Sequence, residues 1–221
     1  MLRALLSASL ALCLFAFSSS SFGQEAPDKM IQRITNEVMA EVRDNPAVKS
    51  GDQEAIRKVV DEKILPHVDF ERATALAMGH YWRNATPQQK QQLQQQFQAL
   101  LMHTYAGALA QVRDQKIAYD PLRAEPGADN VVVHAHTVNT QGEPIQFGYR
   151  LIRTPDGWKV YDVNVLGVWM GEAYRQSFYD EIQRSGIDGL IHVLQEKNKS
   201  LAAHPPKNGQ GNFGPQVPTP Q

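Results

Sequence analysis

His134 and His136 stand two residues apart in a run of apolar residues. On a strand that spacing puts both imidazoles on one face, where they could serve as a metal pair. No third ligand stands nearby, and neither HExxH nor CxxC occurs, so the pair reads as two polar residues on the wetter side of a sheet. Asp162 lies among Val160, Tyr161 and Val163. In a closed pocket such a carboxylate rises in pKa and can act as a base; more often it is hydrogen-bonded or at an edge. The 7 histidines are scattered, none beside a nucleophile. GxSxG, P-loop and GxGxxG patterns are absent. These residues supply no catalytic constellation, so no catalytic residue, no metal ligand and no cofactor is expected.

The apolar side chains are more informative. Tyr81, Trp82, Phe97, Tyr105, Phe147, Tyr149, Trp158, Trp169, Tyr174 and Phe178 fall on or beside core-facing positions. Two readings fit them: a filled core, or helices arching over a greasy sheet and leaving a pocket.

The elements that must position them change period along the chain. Met30, Ile34, Val38 and Val42 recur every fourth residue, one face of a helix that Asn45-Pro46 stops. Asp52 caps a second helix carrying Ile56, Val59, Val60 and Ile64, ended by Pro66. Asp69 caps a third, closed by Gly79. Thr86-Pro87-Gln88-Gln89 is a capping box with Pro at the first helical position. Leu93, Phe97, Leu100, Leu101, Tyr105 and Val112 form the stripe that follows. The 8 glutamines between 88 and 98 form its solvated face.

The period then becomes two. Residues 116–122, 130–140, 144–153 and 158–165 read as strands, with turn chemistry at Gln141-Gly142 and Pro155-Asp156-Gly157. Short turns imply antiparallel pairing. Phe147, Tyr149 and Leu151 share one face; Gly148 and Arg150 share the other. Helices return over about 168–185, with Tyr174, Phe178 and Ile182 on one face, and again from Asp188, after Gly186. The expected fold is α+β: a four-stranded antiparallel β-meander embraced by about six helices around an apolar pocket.

The ends are of another kind. Arg3 followed by the apolar run 4–17, with small Ser21 and Gly23 before Gln24, reads as a signal peptide of residues 1–23. Cleavage between Gly23 and Gln24 removes Cys13, the single cysteine, and leaves a thiol-free chain suited to an oxidising compartment. Residues 204–221 hold five Pro and three Gly and read as a disordered tail. The domain is then 24–203. A net charge of −1 lacks the basic footprint of nucleic-acid binding, so no nucleic-acid partner is expected.

Two stretches are familiar together. The first is Gly79-His80-Tyr81-Trp82-Arg83-Asn84-Ala85-Thr86-Pro87-Gln88-Gln89, leading into Phe97-Gln98-Ala99-Leu100-Leu101 and Thr104-Tyr105-Ala106. The second is Val160-Tyr161-Asp162-Val163, then Gly167-Val168, then Tyr174-Arg175-Gln176-Ser177-Phe178, ending in Gly186-Ile187-Asp188-Gly189-Leu190-Ile191. Over residues 28–198 the chain resembles the MlaC family, the toluene-tolerance auxiliary proteins. The resemblance implies a soluble periplasmic phospholipid carrier and a monomer. It also implies two partners, an inner-membrane ABC transporter complex and an outer-membrane lipoprotein–porin complex, and a role in outer-membrane lipid asymmetry. A filled-core adaptor, or a carrier of another lipid such as a hopanoid, is the alternative. On this reading Phe147, Tyr149, Leu151, Val163 and Val165, with Leu101, Tyr105, Tyr174 and Phe178, contribute to the acyl-chain wall. Trp169 stands where relatives carry small or branched residues, and is expected to narrow or reshape the pocket.

Overall fold

The computed structural model describes residues 25–109, 116–138, 144–165 and 167–204. The expected signal peptide, the tail beyond His204 and the Gln141-Gly142 turn lie outside them.

Helix α1 (Pro27–Asp44) begins on Pro27 and buries Met30, Ile31, Val38 and Val42. Asn45 ends it, as expected, and at once starts a new turn: its Oδ1 accepts from the Ala47 and Val48 N–H groups and caps α2 (Pro46–Lys49). The expected helix over 52–64 is not continuous. Asp52 caps α3 (Gln53–Val59), which passes into a π turn (Val60–Ile64) and a 3₁₀ turn (Leu65–His67). Pro66 has no N–H with which to extend an α ladder. Asp69 caps α4 (Phe70–Met78) through the Arg72 N–H at 2.9 Å. Gly79, at φ +56°, turns the chain into a 3₁₀ segment (Gly79–Asn84). Helix α5 (Pro87–Leu109) opens with the expected reciprocal box: Gln89 N–H donates to Thr86 Oγ1 (3.2 Å) and Thr86 N–H to Gln89 Oε1 (3.0 Å).

Five strands follow, one more than expected: β1 (Lys116–Tyr119), β2 (Asn130–Val138), β3 (Gln146–Thr154), β4 (Gly157–Val165) and β5 (Val168–Trp169). They form an antiparallel meander in the order β1-β2-β3-β4-β5. The added strand is two residues that the helical pattern had seemed to begin. Helix α6 (Met170–Ala203) then runs to the end of the described chain with a bend at Gly186 (φ 73°, ψ −178°). The two expected helices are its two halves. Asp188 accepts from the Gln89 side chain at 2.7 Å, tying the second half to the start of α5.

Strand register sorts the side chains. Ala135, Phe147 and Val165 align across three strands; so do Val133, Tyr149 and Val163, and then Val131, Leu151 and Val160. The last row skips Tyr161 at a bulge between Arg150 and Leu151. Without that extra residue, the period of two would turn Val160 to the other side. The opposite face carries His134 opposite Gly148, Gly148 opposite Asn164, and Arg150 opposite Asp162.

Three apolar clusters result. One lies among α4, α5 and α6, around Phe97, Leu100, Tyr174, Phe178 and Leu194. One joins the apolar sheet face to Met30 and Ile31 of α1. One lies among α1, α2 and α3, around Val42, Val48 and Ile56.

Candidate functional site

The candidate site is the apolar sheet face. Phe147, Tyr149, Val163 and Val165 are brought together there by register and are half-buried. Leu151 continues the row but has no accessible surface. Tyr149 and Val163 pack against the cluster of Met30, Ile31, Val133 and Leu151, with Ile34 and Tyr119 beside them.

Burial pushes the Tyr149 phenol far above the ordinary range, with the Tyr119 hydroxyl adding to the rise, and the side chain is half-buried. Burial also raises the phenols of Tyr105 and Tyr119, which are half-buried too.

The helical residues divide. Leu101 and Tyr105 of α5 keep accessible surface. Tyr174 and Phe178 of α6 keep none: they meet Phe97 edge-on at centroid distances of 5.1 and 5.2 Å and fill the helical cluster. The Tyr174 hydroxyl is buried there beside Tyr105 and Thr104, and burial drives the phenol well above its usual range. Ile34 and Tyr119 were missed as candidates. Alternation gave the signal for Tyr119, which stands opposite Ala135 in the register and so faces the apolar side. Ile34 packs on both the sheet cluster and the α1–α3 cluster.

Trp169 does not share the face of Phe147 and Tyr149. A Cβ on Gly148 would lie 3.2 Å from the indole, so Trp169 covers Gly148 on the opposite face of the sheet. The expectation that it narrows the pocket is corrected: Gly148, lacking a side chain, makes room for the ring outside. The Arg150 guanidinium stacks on that indole at 3.8 Å and donates to Asp162 Oδ2 (2.9 Å) and Glu172 Oε1 (3.0 Å). Asp162 Oδ1 accepts from the Gly171 and Val163 N–H groups, both at 2.9 Å. Burial pushes its carboxyl up, against these donors and Arg150. All of its partners are structural, and it fastens the start of α6 to the sheet. On the same outer face His136 meets Asp120 at 3.3 Å. Among the described residues no three His, Cys, Asp or Glu side chains gather closely enough for a metal.

What the geometry defines is an α+β protein whose antiparallel meander turns one apolar face toward helix α1. The family model described as MlaC protein matches residues 32–196. The chain therefore belongs to the MlaC family. It is 29% identical over 180 residues to the toluene tolerance protein ttg2D of Pseudomonas putida, covering 81% of this chain and 83% of that one. It is 25% identical over 186 residues to the intermembrane phospholipid transport system binding protein MlaC of Haemophilus influenzae, covering 82% and 86%. Among solved structures it resembles the phospholipid-binding protein from Ralstonia solanacearum in complex with a phospholipid. The TM-score is 0.76 and the identity 42%, over 80% of this chain and 99% of that one.

Proposed function

We propose that this chain is a soluble periplasmic carrier that shields phospholipid acyl chains in the recess under its helices. It moves lipid between an inner-membrane ABC transporter complex and an outer-membrane lipoprotein–porin complex. The observation that carries the reading is the 42% identical Ralstonia structure, which holds a phospholipid and is matched over 99% of its length. The half-buried apolar residues of this chain supply a wall of the right chemistry. Phe147, Tyr149, Val163, Val165, Leu101 and Tyr105 contact the tails, and Leu151, Tyr174 and Phe178 back them from the packed cores.

The physics suits a carrier. Burying a methylene is worth about 0.8 kcal/mol over water, so two tails of roughly 16 carbons gain on the order of 25 kcal/mol. A bilayer offers nearly the same, so transfer between bilayer and recess is close to balanced. The protein then needs only to replace water along the route. The charged headgroup is costly to bury unpaired and stays at the mouth. The test is mass spectrometry of organic extracts from gently purified processed protein. Phospholipid is expected. Protein that carries none and accepts none from liposomes overturns the reading.

A further inference from the structure

Hydroxyl groups gather at two places where the surroundings are apolar. The first lies between α5 and α6. Tyr174 is buried against Phe97 and Phe178, with Thr104 and Tyr105 beside its hydroxyl. Burial raises the Tyr174 phenol; Tyr105 adds to the rise, as an acceptor does, and Thr104 opposes it, as a donor does. Burial raises Tyr105 as well, and there Tyr174 opposes the rise as a donor. The hydroxyls therefore run in the order Thr104, Tyr174, Tyr105, each proton directed to the next oxygen. The Thr104 and Tyr174 oxygens are closed off from water, while Tyr105 is half-buried. Its own proton has no acceptor among the described residues.

The second place is the apolar sheet face. Tyr119 stands opposite Ala135 and Tyr149 opposite Val133, and both pack with Met30, Ile31 and Ile34 of α1. The Tyr119 hydroxyl is closed off from water. Burial raises its phenol, and Thr35 opposes the rise as a donor. Tyr149, half-buried, is close enough for the Tyr119 hydroxyl to add to the rise that burial causes, and no hydrogen bond offsets that rise.

Each group thus ends on a half-buried tyrosine of the proposed acyl-chain wall, with a proton that the protein does not accept. A donor unpaired in apolar surroundings is costly and calls for a partner. The partner's chemistry is bounded. It must accept a hydrogen bond. It must be uncharged, because no cation acts on any of the four phenols to balance an anion. It must be joined to an alkyl chain, because its other neighbours are side chains such as Leu101 and Val163. We propose, resting on the carrier reading above, that Tyr105 and Tyr149 donate hydrogen bonds to the acyl ester carbonyls of the bound phospholipid. A diacyl lipid carries one such carbonyl at the head of each chain, so two donors match two esters. The carrier then selects ester-linked lipid, and the headgroup, a glycerol away, stays in water.

The test loads delipidated processed protein from liposomes that mix dioleoyl phosphatidylcholine with its diether analogue, alike in chains and headgroup. The bound ratio is read by mass spectrometry. Wild type should favour the diester about fivefold or more, the scale of one neutral hydrogen bond. Tyr105→Phe and Tyr149→Phe should each cut the preference, and the double variant should take both lipids alike. Tyr179→Phe, at an exposed ring on α6, should keep the wild-type ratio. With diester labelled isotopically at its carbonyls, the infrared C=O stretch should lie at lower frequency in wild type than in the double variant. Equal uptake of the two lipids by wild type overturns the proposal and leaves the carrier standing; it is the outcome expected if these hydroxyls bind water only. A double variant with the wild-type preference overturns it too. So does delipidated Tyr149→Phe that melts well below wild type, because removing an unpaired hydroxyl costs the fold nothing. Wild type that loads neither lipid defeats the carrier reading itself, and this inference with it.

Discussion

Asp162 and Arg150 depend on each other unequally. The carboxylate is 5% exposed and meets two backbone N–H groups besides the guanidinium, while Arg150 also stacks on Trp169 and reaches Glu172. Removing one partner of a buried pair leaves the other charge uncompensated, which costs about 3 kcal/mol or more. Arg150→Met should cost about that much at neutral pH. The pH dependence has a definite sign. Burial raises the folded pKa of Asp162 above its unfolded value. Stability is then full below the ordinary aspartate range and is lost as pH rises through the raised folded value. Without Arg150 that value rises further. The melting-temperature gap between wild type and Arg150→Met should therefore narrow as pH falls toward the ordinary aspartate range. A gap that stays constant would mean that Arg150 acts through its packing on Trp169 instead.

Among the elements, α5 has the clearest start, and its start also holds the second half of α6. Thr86→Ala removes the acceptor for the Gln89 N–H and leaves the Gln89 side chain its bonds to the residue 86 N–H and to Asp188. A lost N-cap costs about 1 kcal/mol, so the melting temperature should fall by about 2–4 °C in a domain of this size. Calorimetry checks it; no change would show that the Gln89 contact to Asp188 holds the turn unaided. Elements of this kind were legible in the sequence because their signals are local. Asp52, Asp69 and Thr86 cap where their side chains said they would, and alternation gave the correct inner face for residues 147 to 151 and 163 to 165. The features that escaped are set by neighbours. The β5 strand is two residues long and exists because Val165 and Asn164 offer it an edge. The π turn buries none of its residues and runs directly into the 3₁₀ turn that holds Pro66. Trp169 looked like a pocket residue because its chemistry is apolar; only the register that puts Gly148 beneath it shows which face it covers. For the candidate site, period two was enough to place the sheet residues on one face. The helical stripe of α6 gave no way to separate packed Tyr174 and Phe178 from half-buried Leu101 and Tyr105 of α5.

At the scale of the molecule, a carrier that holds lipid on the apolar sheet face beside three packed clusters, as proposed, should draw stability from its ligand. Lipid that binds only the folded state stabilises it by mass action, about 2.7 kcal/mol at a hundred times the dissociation constant. Delipidated protein should thus melt several degrees lower than protein as purified, and regain the difference on incubation with phospholipid vesicles. The sharpest test of the recess is Phe147→Asp. Phe147 pairs with Ala135 and Val165 on the apolar face yet stays half-buried. If acyl chains cover it, a carboxylate there meets alkyl groups in the loaded protein, at a cost of several kcal/mol, but meets water once the lipid has left. The variant should stay folded and lose its phospholipid. If the ring only fills a core, the same change buries an unpaired charge permanently and the domain should unfold. Circular dichroism melts together with extracted-lipid measurements separate the outcomes. A folded variant with wild-type lipid occupancy would remove this face from the site.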